Sequence, residues 1–169
     1  GLQSAGVHAT RKHFVGYSAS QSGRNHAPVH AGPREIADVF LPPFEMAVRE
    51  GGVRSVMNSY AEIDGVPVAA DPRLLTELLR ETWGFTGTVV ADYFSVAFLH
   101  SMHRRGASPS AAARLALAAG VDVELPTGDA FPQMLEDGTA IEIEDLSDRA
   151  VARVLTQKEQ RGLLDESTD

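Results

Sequence analysis

Polar residues able to do chemistry recur along the chain at Lys12-His13, Asn58-Ser59-Tyr60, Asp92-Tyr93 and Glu124. Asp92 follows Val89-Val90-Ala91, a short β-branched run behind a glycine, which reads as the end of a buried strand. An ionised carboxylate is expensive to hold there unless something pairs with it. The last residue of a strand before a βα turn is where α/β barrels carry catalytic groups. The same residue type also caps a following helix well, so position alone leaves both roles open for Asp92. Lys12 and His13 end an earlier strand candidate; they are either a surface pair or donors to sugar hydroxyls or a carboxylate. Arg24 offers a fork of donors from a loop rich in Gly, Ser, Asn and His, and is the best anion or hydroxyl clamp in it. Glu124 is a second carboxylate at the end of a strand candidate.

His26 and His30 have a spacing that on a helix suggests a metal pair. Pro28 lies between them and Gly32-Pro33 follows, so no helix and no metal are expected. The chain has no cysteine, hence no disulfide frame and no thiolate site. A net charge of -8 argues against a nucleic-acid partner. No apolar run approaches membrane-spanning length, so no membrane partner is expected. The N-terminus lacks a basic-then-apolar signal pattern, which favours a cytoplasmic over a secreted location and leaves the compartment open. An apolar fraction of 43% over 169 residues suits one globular domain with a real core.

The elements that must position these residues alternate. Strands are expected at Val7 to Phe14, Val53 to Tyr60, before Asp92, and at Val121 to Leu125. Helical turns are expected over Arg34 to Phe40, interrupted at Pro42-Pro43, and over Phe44 to Gly51. Glu62-Ile63-Asp64-Gly65 is a turn signature. Asp71-Pro72 opens a helix with Leu74, Leu75, Leu78 and Leu79 inward and Gly84 closing it. A helix follows Ser95, Ser108-Pro109 starts another that ends at Gly120, a weaker one surrounds Phe131 to Leu135, and a last one runs from about Leu146 to Gln160. Strand and helix in alternation make an α/β fold with a parallel sheet. No GxGxxG or Walker A pattern occurs, which removes the dinucleotide-dependent reading. Polar groups at every strand end favour part of a (β/α)8 TIM-type barrel over an open doubly wound sheet.

Lys12-His13-Phe14, Ser55-Val56-Met57-Asn58-Ser59-Tyr60 with Gly65-Val66-Pro67, Trp83-Gly84-Phe85 with Gly87, and Val89-Val90-Ala91-Asp92-Tyr93 together resemble the family 3 glycoside hydrolases. These are enzymes of the β-glucosidase and β-xylosidase kind. The resemblance implies a retaining glycosidase that cleaves terminal β-linked glucose or xylose through a covalent glycosyl intermediate on Asp92. It implies that Lys12, His13, Arg24 and Tyr60 line the sugar pocket, with Tyr93 as an aromatic face and Glu124 on the same side. Lys12, Arg24 and a protonated His13 are expected to favour the charged form of Asp92. No cofactor is implied; the expected partner is a β-glycoside or oligosaccharide. Ala91 and Tyr93 stand where the family often has Ser and Trp. The loop Val15-Gly16-Tyr17-Ser18 lacks the Asp-x-His pair of the N-acetylglucosaminide-cleaving branch, which is therefore disfavoured.

The family's barrel has eight strands, so the resemblance places residues 1–160 in the later half of it. Residues 161–169 are expected to begin a linker to a separate α/β domain that supplies the acid/base Glu. A half barrel alone is expected to be inactive and to self-associate through unpaired edges. The alternative from another class is a truncated, non-catalytic barrel acting as an interaction or scaffold module.

Overall fold

The computed structural model describes residues 1–137 and 143–165. Three parallel strands, β1 (Thr10–Phe14), β2 (Ser55–Asn58) and β5 (Thr88–Val90), form the central sheet in the order β1-β2-β5. Between β2 and β5 lie a two-stranded hairpin, β3 (Glu62–Ile63) and β4 (Val66–Pro67), and a π-type helix, Arg73–Thr82. The hairpin turn is Asp64-Gly65, both at positive φ (50° and 76°), which is the backbone that glycine and aspartate tolerate best in such a turn.

The helices are α1 (Pro33–Glu35), α2 (Pro42–Arg49), α3 (Ser95–Ser101), α4 (Pro109–Ala119), α5 (Phe131–Glu136) and α6 (Glu144–Gln160). A π-type turn, Ile36–Phe40, continues α1. Pro42-Pro43 opens α2 rather than interrupting a helix, because proline at the first helical positions lacks only an N–H that would be unpaired there anyway. Asp71 accepts the Arg73 N–H at 3.0 Å, and Ser108 Oγ accepts the Ala111 N–H at 3.2 Å, the two start signals legible in the sequence. Gly84 and Gly120 end their helices at positive φ.

Two strand expectations are corrected. β1 begins at Thr10, not Val7: Val7 is exposed, and the Ala9 N–H goes to the Gln3 side chain instead of a ladder partner. Val121 to Leu125 is no strand but a segment with one parallel bridge, Val123 to Val90. The reason is Asp122. Its side chain takes the Val89 N–H at 2.8 Å and so replaces a ladder bond. That carboxylate, 1% exposed, also receives Arg80 at 2.6 Å and Arg153 at 2.7 Å, tying the Arg73–Thr82 helix and α6 to the same point. Burial lowers the Arg80 pKa while Asp122 opposes that shift.

Phe14, Val56 and Val89 carry the sheet's buried face, with Leu75, Leu79 and Leu99 of the helices fully enclosed against it. Phe44 and Trp83 meet Phe14 edge-on, 5.1 and 6.1 Å between ring centres. This core fixes where the strands end.

Candidate active site

Parallel pairing brings the C-terminal ends of the strands to one edge of the sheet, Phe14 opposite Asn58 and Met57 opposite Val90. The residues that follow therefore meet: His13 at the end of β1, Tyr60 past β2 and Asp92 past β5. The Asp92 side chain is 13% exposed, with Oδ2 3.5 Å from His13 Nε2. Its Oδ1 accepts the Tyr93 N–H at 2.8 Å. The carboxylate does not cap α3, whose N-cap position is Phe94 with no side-chain bond. Of the two roles open to Asp92, capping is thus set aside.

The turn that presents Asp92 is tight. Phe94 has φ 65°, a left-handed conformation that costs a bulky residue of order 1–3 kcal/mol. It is held there by its N–H bond to the Leu125 carbonyl at 2.8 Å, while the Asp92 carbonyl accepts the Ser95 N–H at 2.9 Å. Tyr93 and Phe94 consequently stand out beside the carboxylate, 52% and 41% exposed.

Tyr60 donates its hydroxyl proton to the Tyr93 carbonyl at 2.6 Å. Burial, and then the neighbouring Asp92 charge, push its pKa up to about 12. Tyr60 is therefore a permanent donor. His13 behaves differently from expectation: burial lowers its pKa, Lys12 adds to that, and the opposing pull of Asp92 does not reverse it. At neutral pH it meets Asp92 as a neutral ring, so a cationic His13 does not support the carboxylate. The His13 ring also leans on Tyr17, 4.8 Å between centres.

Lys12 is exposed and lines, with His13, Tyr17 and Phe40, a hollow of about 190 Å³ beside β1. Larger hollows of about 420 and 490 Å³ share no residue with the Asp92 cluster. Arg24 is exposed on its loop, and its guanidinium makes no hydrogen bond or ion pair among the described residues. Glu124 is engaged elsewhere. Its carboxylate accepts the Ala130 N–H at 3.0 Å and the Phe131 N–H at 2.8 Å, anchoring the start of α5. The fold thus gathers His13, Tyr60, Asp92 and Tyr93, and leaves Arg24 and Glu124 outside that contact set. Among the described residues no group of three His, Asp or Glu side chains converges on a metal position.

Sequence reasoning missed the layer underneath. Asn58, fully buried, donates to the Ser59 carbonyl at 2.9 Å and to Ser95 Oγ at 3.2 Å, joining β2 to the first turn of α3. Ser59 Oγ donates to the Val15 carbonyl at 2.8 Å, joining β2 to β1. Three polar residues in a row after an apolar strand were the available signal, since buried polar groups must find partners. His26 was missed as well; its ring packs on Tyr60, 4.4 Å between centres.

Residues 1–157 match the sequence profile of the glycosyl hydrolase family 3 N terminal domain. A β-xylosidase of Formosa agariphila is 39% identical over 168 residues, 94% of this chain and 23% of that protein. A β-glucosidase of Rhizobium radiobacter is 45% identical over 94 residues, 56% of this chain and 11% of that protein. In structure, a β-glucosidase from Erythrobacter marinus superposes with a TM-score of 0.87 at 43% identity, over 94% of this chain and 21% of that one. A β-glucosidase from Listeria innocua, solved with glucose, gives 0.84 at 30% identity over 94% of this chain and 22% of that one. The chain spans about a fifth of the length of the curated relatives it matches. With that profile covering all but its last residues, the chain belongs to glycoside hydrolase family 3, within the family's N-terminal domain.

Proposed function

We propose that this chain carries the nucleophile of a retaining β-glycosidase acting on terminal β-linked glucose or xylose. The observation that carries the reading is Asp92 itself: a mostly buried carboxylate at the strand end, tied through Oδ1 to the Tyr93 N–H, with Oδ2 3.5 Å from His13 Nε2. In the first step Oδ2 attacks the anomeric carbon, the glycosidic C–O bond breaks, and the leaving oxygen takes a proton from a separate acid. Water then cleaves the glycosyl ester with that same group acting as base, and Asp92 is regenerated. Tyr60, its pKa pushed up to about 12, keeps its one hydroxyl proton beside the nucleophile, and turning that proton from the Tyr93 carbonyl serves the nucleophile or the ring oxygen when sugar is bound. Lys12 and the neutral His13 donate to sugar hydroxyls and Tyr93 offers a stacking face, while Arg24 and Glu124 lie outside that cluster and are assigned no sugar contact.

The sheet order and the strand-end cluster support residues 1–160 as the later half of a (β/α)8 barrel. The test is intact mass and peptide mapping after incubation with an activated 2-deoxy-2-fluoro β-glucoside or β-xyloside. Its good leaving group needs no acid catalyst, and the fluorine slows release of the sugar. A label on the peptide carrying Asp92, absent in Asp92→Asn, is the expected result. No label in this chain or in its full-length parent overturns the glycosidase reading and leaves the scaffold alternative.

A further inference from the structure

The segments that leave β2 and β5 part from the sheet and are joined again further out. After β2 the chain passes through Tyr60 into the β3–β4 hairpin; after β5 it passes through Asp92 into α3. Just beyond α3, His103, its side chain 8% exposed, places Nδ1 3.3 Å from Oε2 of Glu62 in β3. A carboxylate only accepts, so Nδ1 carries the proton of that bond. Beside it Arg105 donates to the Gly65 carbonyl at the hairpin turn. The wedge between this staple and Asp92 is filled by rings: Phe98 of α3 lies 5.6 Å from Tyr60, and His26 lies 4.4 Å from Tyr60 and 5.2 Å from Phe98. The Val29 N–H bond to the Glu62 carbonyl, 2.8 Å, ties the His26 loop to the same hairpin.

We propose that His103 and Glu62 are a positioning pair, holding the Tyr60 hydroxyl beside Asp92 by clamping the hairpin to the end of α3. Tyr60 is two residues from Glu62, and its ring rests on the helix whose far end bears on His103. Releasing the clamp lets the hairpin swing and moves the hydroxyl relative to the carboxylate. Its kinetic meaning rests on Asp92 acting as nucleophile; its effect on Tyr60 does not.

Two measurements on the whole chain separate those layers. The chain has three tyrosines, so a protein labelled with 13C at tyrosine Cζ gives three resonances, with that of Tyr60 identified by Tyr60→Phe. In His103→Ala the Tyr60 resonance shifts toward the free-tyrosine value, while Glu62→Gln, which keeps an acceptor for Nδ1–H, leaves it in place. A Tyr60 resonance unmoved in folded His103→Ala overturns the proposal. Should that variant not fold, Glu62→Ala, altering the more exposed partner, decides in the same way. In the labelling reaction, His103→Ala lowers the maximal rate by roughly tenfold or more while the half-saturating concentration stays within about twofold. A purely structural pair lowers only the folded fraction and leaves both constants of the folded protein unchanged. If the unaltered chain takes no label, the tyrosine resonance alone still decides whether the clamp holds Tyr60.

Discussion

Tyr60 holds its proton because the half-buried hydroxyl is partly desolvated, faces a carboxylate and donates to the Tyr93 carbonyl, so ionising it would place two negative charges together. Tyrosinate absorbance on alkaline titration therefore shows a component near pH 12, and Tyr60→Phe removes that component. The same substitution slows labelling of Asp92 by roughly 100-fold, because the hydroxyl held beside the nucleophile is lost. Of this site, Asp92, His13 and Tyr60 were legible as polar groups closing apolar runs. The neutral state of His13 was not, since it depends on how deeply β1 is covered. Nor was the fate of Glu124, whose carboxylate meets two backbone N–H groups only once α5 has folded back over it.

At the scale of elements, the Asp122 side chain stands in for a ladder bond at the edge of β5. Its carboxylate binds β5, the Arg73–Thr82 helix and α6 at once. Asp122→Ala leaves Arg80 buried and uncompensated, and is expected to cost about 3–5 kcal/mol in urea unfolding. Gly87, just before β5, has a different constraint: a Cβ there would fall on the Arg54 carbonyl at the start of β2. Gly87→Ala is expected to lose about 1–3 kcal/mol by the same measurement, through forced separation of β2 and β5. The start signals at Asp71 and Ser108 were readable because capping is local chemistry between neighbours in sequence. The Asp122 triad joins residues more than thirty positions apart, and no local pattern announces it.

For the whole molecule, two consequences follow from burial and from the sheet. His13 and His103 both have pKa values lowered first by burial. In the unfolded chain they titrate near 6.5, so below that pH the unfolded state binds protons the folded state resists. Stability is full above about pH 6.5 and falls as pH drops toward the lower folded values. Thermal unfolding from about pH 7.5 to 5 checks the sign, and His13→Gln with His103→Gln flattens the slope. β1 pairs only with β2, so its other edge is open among the described residues, with exposed Leu2 and Val7 close by. Self-association of the isolated chain is expected in size-exclusion chromatography, and a clean compact monomer counts against the half-barrel arrangement.

By itself the sequence determined the alternation of the first three strands of the sheet with helices, the caps and breaks of those helices, and that His13, Tyr60 and Asp92 stand at or just past strand ends. Each of these follows from contacts within a few positions of chain: side-chain period, φ preference and a neighbouring N–H. Tertiary structure alone decided which strand ends meet, that Asp122 stands in for a ladder bond, and that His13 is neutral beside Asp92 while Tyr60 stays protonated. Those outcomes depend on desolvation and on pairing across long loops, and both quantities exist only after the sheet has closed against its helices.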